Sequence, residues 1–117
     1  MNDETKKRLV DAVEACRAIL QFTAGCNFSA YAGDSMRRAA VERKFEILGE
    51  ALNRAEESAP ELTKRVPEIR RIIGMRNRII HGYDAVDDEI VWDTVQQKIP
   101  SLLEQLSTQL RDEGEKP

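Results

Sequence analysis

The chain has one histidine, two cysteines, four prolines and six glycines in 117 residues, and aromatic side chains make up only 5% of it. Each scarcity excludes something. A single histidine cannot assemble a zinc site, and Cys16 and Cys26 lack the paired C-x-x-C spacing that would complete one. No grouped carboxylates suggest magnesium, so neither a metal nor a cofactor is expected. The longest uncharged run, residues 18–33, contains Gln21, Thr23, Asn27 and Ser29 and is too polar and too short to span a bilayer. Asn2-Asp3-Glu4-Thr5-Lys6-Lys7-Arg8 leads into an amphipathic pattern rather than the apolar core of a signal peptide, which gives the expectation of a cytoplasmic protein. The β-branched and aromatic residues do not cluster in alternating runs, so no strand is expected. A net charge of -3 argues against non-specific coating of nucleic acid, so any such contact must be local.

What the chain does have is helical periodicity. With 41% hydrophobic and 33% charged residues, it reads as one soluble all-α domain over 1–117, an antiparallel bundle of four to five helices. Leu9, Val13, Cys16 and Leu20, widened by Val10 and Ile19, predict a first helix over 4–24, capped by Asp3 and stopped by Gly25. This places Cys16 as a small buried side chain. A short connection with one helical turn follows, where Phe28 and Tyr31 are spaced to pack on neighbouring helices.

Val41, Phe45, Leu48 and Leu52 predict a second long helix over 35–58, capped by Asp34 or Ser35 and ended by Pro60. Gly49 falls in its middle, where a glycine usually admits another backbone, and Ala39, Ala40 and Ala51 add to the expectation of close helix contact. One more turn over 61–65 precedes a third helix over 67–81, with Pro67 at its first position and Gly82 as its stop. A last helix over 88–111, capped by Asp87 or Asp88, carries Ile90, Val91, Val95, Ile99, Leu102, Leu103, Leu106 and Leu110 on one stripe, and Pro100 should kink or divide it at Ile99. Trp92 reads as a core or interface anchor rather than a base-stacking platform. Residues 112–117 are expected to fray.

The chemistry gathers at Gly74-Met75-Arg76-Asn77-Arg78-Ile79-Ile80-His81-Gly82-Tyr83-Asp84. Residues 64–81 hold six Lys/Arg against one acid, Glu68, a cationic island on an acidic body that suits a phosphate-rich partner. Arg70, Arg71 and Arg78 are its candidate phosphate contacts. Asn77 and His81 are four residues apart and stack on one helix face, and Arg76 lies about 100° round from Asn77, within reach of the same groove. A histidine at a helix C-terminus can take and give a proton near neutral pH. Arginine suits a phosphate because its fork donates two parallel hydrogen bonds. Cleavage of RNA without metal needs these parts: a base for the 2′-OH, a cation for the phosphate and an acid for the leaving 5′-oxygen. One histidine supplies one such group, and a symmetric dimer supplies two. Spacing alone leaves open that these residues are a surface face and a helix cap.

Arg76-Asn77-Arg78-Ile79-Ile80-His81-Gly82-Tyr83 resembles the R-x4-H-x-Y signature of HepT-like proteins, a branch of the HEPN superfamily, including the polar residue after the arginine. Arg43-Lys44-Phe45-Glu46-Ile47-Leu48-Gly49-Glu50-Ala51, Gly74-Met75 and Ile90-Val91-Trp92-Asp93-Thr94-Val95 resemble the same family, and the similarity runs from about Leu9 to Leu106. The resemblance implies a helical-bundle homodimer with both motifs at the subunit interface, acting as a metal-independent ribonuclease toxin. By position, Arg76 would polarise the scissile phosphate, His81 would be the general acid/base and Asn77 would orient one of them. Tyr83 would be the residue that an MNT-type nucleotidyltransferase antitoxin modifies with AMP. One departure from the pattern is Glu68, where family members often carry tryptophan after the proline. Two other readings stay open: a non-catalytic nucleotide- or substrate-binding subunit of a nucleotidyltransferase complex, and a structural dimerisation bundle.

Overall fold

The computed structural model describes residues 1–81 and 86–115, and at Ile80 and His81 it describes the backbone. Seven helical segments and no strand occur among these residues: α1 (Asp3–Thr23), α2 (Phe28–Ala32), α3 (Ser35–Ser58), α4 (Leu62–Arg65), α5 (Glu68–His81), α6 (Asp88–Gln97) and α7 (Ile99–Asp112). The fold is an all-α antiparallel bundle. The two single-turn segments α2 and α4 are connectors, and α6 with α7 makes one divided helix.

Helix α3 is the hub. It packs on α1 along one side and α5 along another and touches both connectors, while α7 lies on α1 and α6 meets α7 and α2. The buried stripe of each helix explains this order. Leu9, Val13, Cys16 and Ile19 from α1, Val41, Phe45, Leu48 and Leu52 from α3, and Ile69 and Ile72 from α5 are all fully buried in one core cluster. Val91 and Val95 of α6 and Ile99, Leu102, Leu106 and Leu110 of α7 complete it. Of the small residues expected at close contacts, Ala51 is buried, as are Ala12, Ala15 and Ala55, whereas Ala40 is half-buried and Ala39 exposed. No helix among the described residues is long and apolar enough to cross a membrane.

Caps set the boundaries. Helix α1 is capped by Asn2, not Asp3: the Asn2 side chain accepts from the Thr5 N–H at 2.8 Å, and Asp3 becomes the first residue of the helix, where its charge suits the dipole. The Thr5 hydroxyl then lies 2.6 Å from that of Ser58, tying the start of α1 to the end of α3. Asp34 caps α3 and Asp87 caps α6 through their side chains. The last helix divides at Lys98, one residue before the expected point, and Pro100 falls in the first turn of α7, where no N–H is missed. Ile90, expected in the apolar stripe, is 40% exposed.

The tail is held further than expected. Gly114, at φ +80°, closes a Schellman motif in which Gly114 donates to the Arg111 carbonyl and Glu115 to that of Leu110. Tyr31 is fully buried, and Trp92 packs 5.4 Å from it and 6.5 Å from Phe28, an aromatic group joining α2 to α6 as its anchoring role required. Cys16 and Cys26 are free thiols. Burial pushes the Cys16 thiol up to about 12.

Candidate active site

Arg76 sits on α5, five residues before the motif histidine, and its neighbour across the bundle is Gly49 of α3. A Cβ built on Gly49 would lie 2.5 Å from Cγ of Arg76, 3.2 Å from its Cδ and closer still to its Cβ. The glycine is therefore required, though not for the expected reason. A side chain, not another backbone, fills its place: the aliphatic stem of Arg76 lies across α3 where any larger residue would stand.

This seating delivers the guanidinium to the next residue of α3. Nη2 of Arg76 donates to Oε2 of Glu50 at 3.0 Å, and Nη1 donates to Oδ1 of Asn77 at 3.1 Å. The other oxygen of Glu50 accepts from Nε of Arg54 at 2.9 Å, so the carboxylate is itself held from behind. Among the described residues Nε of Arg76 is buried and finds no acceptor. The side chain keeps 24% of its surface exposed. It opens on a cleft of about 250 Å³ between α1, α3 and α5, whose charged lining is Arg8, Asp11, Arg43, Glu46, Glu50 and Arg76.

Of the residues singled out in the sequence, the structure thus brings Arg76 and Asn77 into direct contact. His81 is the last residue of α5, one turn beyond Asn77 in the backbone, and its side chain lies outside the described residues. Tyr83 also lies outside them. Arg70 and Arg71 are exposed but partnered: Nε of Arg70 is 3.2 Å from Glu56 of α3, and Nε of Arg71 is 3.7 Å from Glu68. Arg71 and Arg78 line a second, larger groove against α6. The island of positive charge counted along the sequence is accordingly weaker in space, because α3 lays Glu50 and Glu56 against it.

Sequence reasoning did not single out Glu50, Arg8 or Arg43. The one available signal was the mid-helix glycine beside Glu50, which marks a close approach without saying what approaches.

The family model described as ribonuclease HepT-like matches residues 12–108, most of the chain. This chain belongs to the HepT-like ribonuclease family. A "Probable ribonuclease HepT" from Thermococcus cleftensis is 38% identical over 105 residues, covering 87% of this chain and 92% of its own. Two proteins with provisional RNase names, from Caldanaerobacter subterraneus and Methanocaldococcus jannaschii, are each 31% identical, covering 86% and 92% of this chain and 89% and 88% of their own. No solved structure is a significant match. Against the HepT-like pattern, the departure at Glu68 has a local explanation. The half-buried carboxylate lies 3.7 Å from Arg71 on its own helix and 3.7 Å from Lys98 at the junction of α6 and α7, so charge stands on both sides of it.

Proposed function

We propose that this HepT-like protein is a metal-independent endoribonuclease, the toxin of a toxin–antitoxin pair, working in the cytoplasm as a symmetric homodimer. The observation that carries the reading is the seating of Arg76: a partly exposed arginine, its guanidinium fixed by Glu50 and Asn77, five residues before the only histidine of a chain in a ribonuclease family. A donor held in place before the reaction stabilises developing charge without reorganising when that charge appears.

In this reading Arg76 binds the scissile phosphate and stabilises the charge that builds on it. His81 takes the proton of the ribose 2′-OH, whose oxygen attacks phosphorus. The bond to the 5′-oxygen breaks, and that oxygen leaves with a proton from the acid form of the partner subunit's histidine. The products are a 2′,3′-cyclic phosphate and a 5′-hydroxyl. Asn77 fixes one edge of the arginine, and Arg70, Arg71 and Arg78 contact flanking phosphates. An MNT-type nucleotidyltransferase silences the site by transferring AMP from ATP to the Tyr83 hydroxyl, with pyrophosphate as the leaving group, two residues from His81, where added bulk and negative charge exclude the substrate phosphate.

The test is cleavage of total cellular RNA in EDTA by the purified protein beside His81→Ala and Arg76→Ala. The wild type should cut and leave cyclic phosphate ends, and both variants should stay folded and lose cleavage. Cleavage by His81→Ala at the wild-type rate would remove the histidine from the mechanism. No cleavage by a folded wild type without AMP on Tyr83 would favour a nucleotide-binding subunit instead.

A further inference from the structure

Two mid-helix glycines stand in opposite situations. Gly49 has no space for a side chain, because Arg76 fills it. Gly74, at the middle of α5, has no described atom beyond its own helical backbone and chain neighbours within 4 Å of where a Cβ would stand. A glycine there weakens the helix without admitting any neighbour, so packing gives no reason for it. What it does is leave a groove open.

The groove lies between α5 and α6 and measures about 520 Å³. From α5 it takes Arg71, Gly74, Met75 and Arg78, which recur at i, i+3, i+4 and i+7 and so share one stripe. From α6 it takes Ile90 and Asp93, and Lys98 closes the end. It is separate from the Arg76 cleft: Arg76 and Arg78 are two residues apart and project roughly 160° from one another around the helix. Its apolar lining is the nearly buried Met75 and Ile90, one of three large hydrophobic side chains exposed among the described residues. Its rim is cationic. Arg71 and Lys98 share the single carboxylate of Glu68 at 3.7 Å each, which cannot neutralise both, and Arg78 adds a third positive charge against Asp93.

An apolar lining with a cationic rim fits a flat ring attached to a phosphate. We infer that the α5–α6 groove is a nucleotide subsite for single-stranded RNA, which takes a base over Met75 and Ile90 and the adjoining phosphate between Arg71, Arg78 and Lys98. It holds a nucleotide away from the bond that is cut, on the far side of α5 from Arg76. The assignment rests on the ribonuclease reading and adds to it a place where the strand is gripped but not cleaved. Binding there lowers KM without entering the chemical step.

Gly74→Leu tests this, because the open space lets a larger side chain fill the groove while improving the helix. The full-length protein is titrated with a fluorescently labelled single-stranded RNA oligonucleotide, and cleavage kinetics are measured on the same RNA. Expected are an unchanged helical spectrum and a melting temperature no lower than wild type. Kd should rise by about tenfold or more and KM in proportion, with kcat held within about twofold. Lys98→Gln, which leaves the apolar lining intact, should weaken binding less and reduce the salt dependence by about one phosphate contact. Wild-type Kd and KM in a folded Gly74→Leu protein would overturn the subsite. So would a changed oligomeric state in that variant, which would make the groove a contact between copies of the chain. If the wild type neither binds nor cuts RNA, the ribonuclease reading itself fails. A wild type that cuts beside an indifferent Gly74→Leu fails the subsite alone.

Discussion

Replacing Gly49 with alanine adds one methyl group, and the structure gives opposing terms for it. Alanine is favoured over glycine inside a helix by about 1 kcal/mol, so on helix propensity alone the variant gains stability. Against this, the new Cβ would overlap Cβ and Cγ of Arg76, the near end of that side chain. A rotamer change cannot remove a clash with Cβ, which is fixed to the backbone of α5. The two helices must part by an ångström or more to restore ordinary contact at about 3.5–4 Å, disturbing the burial of Ile69, Ile72 and Met75 on the same helix. Overpacking of this kind costs about 1–3 kcal/mol. The net expectation is a loss of about 0–2 kcal/mol, a fall in melting temperature of up to roughly 10 °C for a chain of this size. The effect on cleavage should be larger than the effect on stability, since a misplacement of about 1 Å in a positioned group can cost a hundredfold in rate. Gly74→Ala is the internal control: with open space at its Cβ it should gain about 1 kcal/mol. Thermal melts of both variants, with RNA cleavage of the first, decide the matter. If Gly49→Ala is stabilised as much as Gly74→Ala and cleaves normally, the seating of Arg76 on α3 is not what the structure makes it.

Glu50→Gln keeps the shape but removes the charge that holds Arg76; cleavage should fall by roughly tenfold, while stability, resting on a partly exposed pair, should change by less than about 1 kcal/mol. An unaltered rate would show that Asn77 alone suffices. A maleimide probe should label Cys26 and spare the fully buried Cys16, whose thiol is held up to about 12, until the protein is denatured; mass spectrometry reads the difference, and rapid native labelling of Cys16 would contradict its burial. The Glu42 carboxyl is raised above its ordinary value, first by desolvation and then by Asp88, with Arg38 opposing. A carboxyl raised in the folded state stabilises the fold below its unfolded pKa and loses that contribution as pH climbs through the folded one. Glu42→Gln should therefore raise the melting temperature at pH 7, with a benefit that shrinks below the ordinary glutamate range; a benefit independent of pH would contradict the assignment.

Much of this fold was legible because its helices carry strong periodic stripes and explicit stops. The bounds of α3, with Asp34 before it and Pro60 after it, followed from capping and breaker chemistry alone. The cap of α1 was misread as Asp3 because its neighbour Asn2 is an equally good capping type, and only the folded geometry shows which side chain reaches the Thr5 N–H. The Ile90 stripe misled for a related reason: periodicity says which residues share a face, not whether a second helix covers it. At the site, the Arg76–Asn77 contact was readable from adjacency on one helix. The Arg76–Glu50 contact joins residues twenty-six apart and depends on how α5 lies against α3. Charge counted along the chain overstated the cationic island for the same reason, since Glu56 reaches Arg70 only across the bundle.

The place of α3 at the centre of the bundle bears on how long the arginine stays in position. A helix that touches four others can open only when most of the molecule opens with it, so its amides should be among the slowest to exchange with solvent. Arg76 rests its stem on the middle of that helix rather than on a loop or an end. Fraying at the chain ends or loosening of α6 would leave that support untouched. Loss of the seat should thus require α5 itself to part from α3, so the population of molecules with a misplaced Arg76 should track the exchange of the α5 amides rather than that of α3.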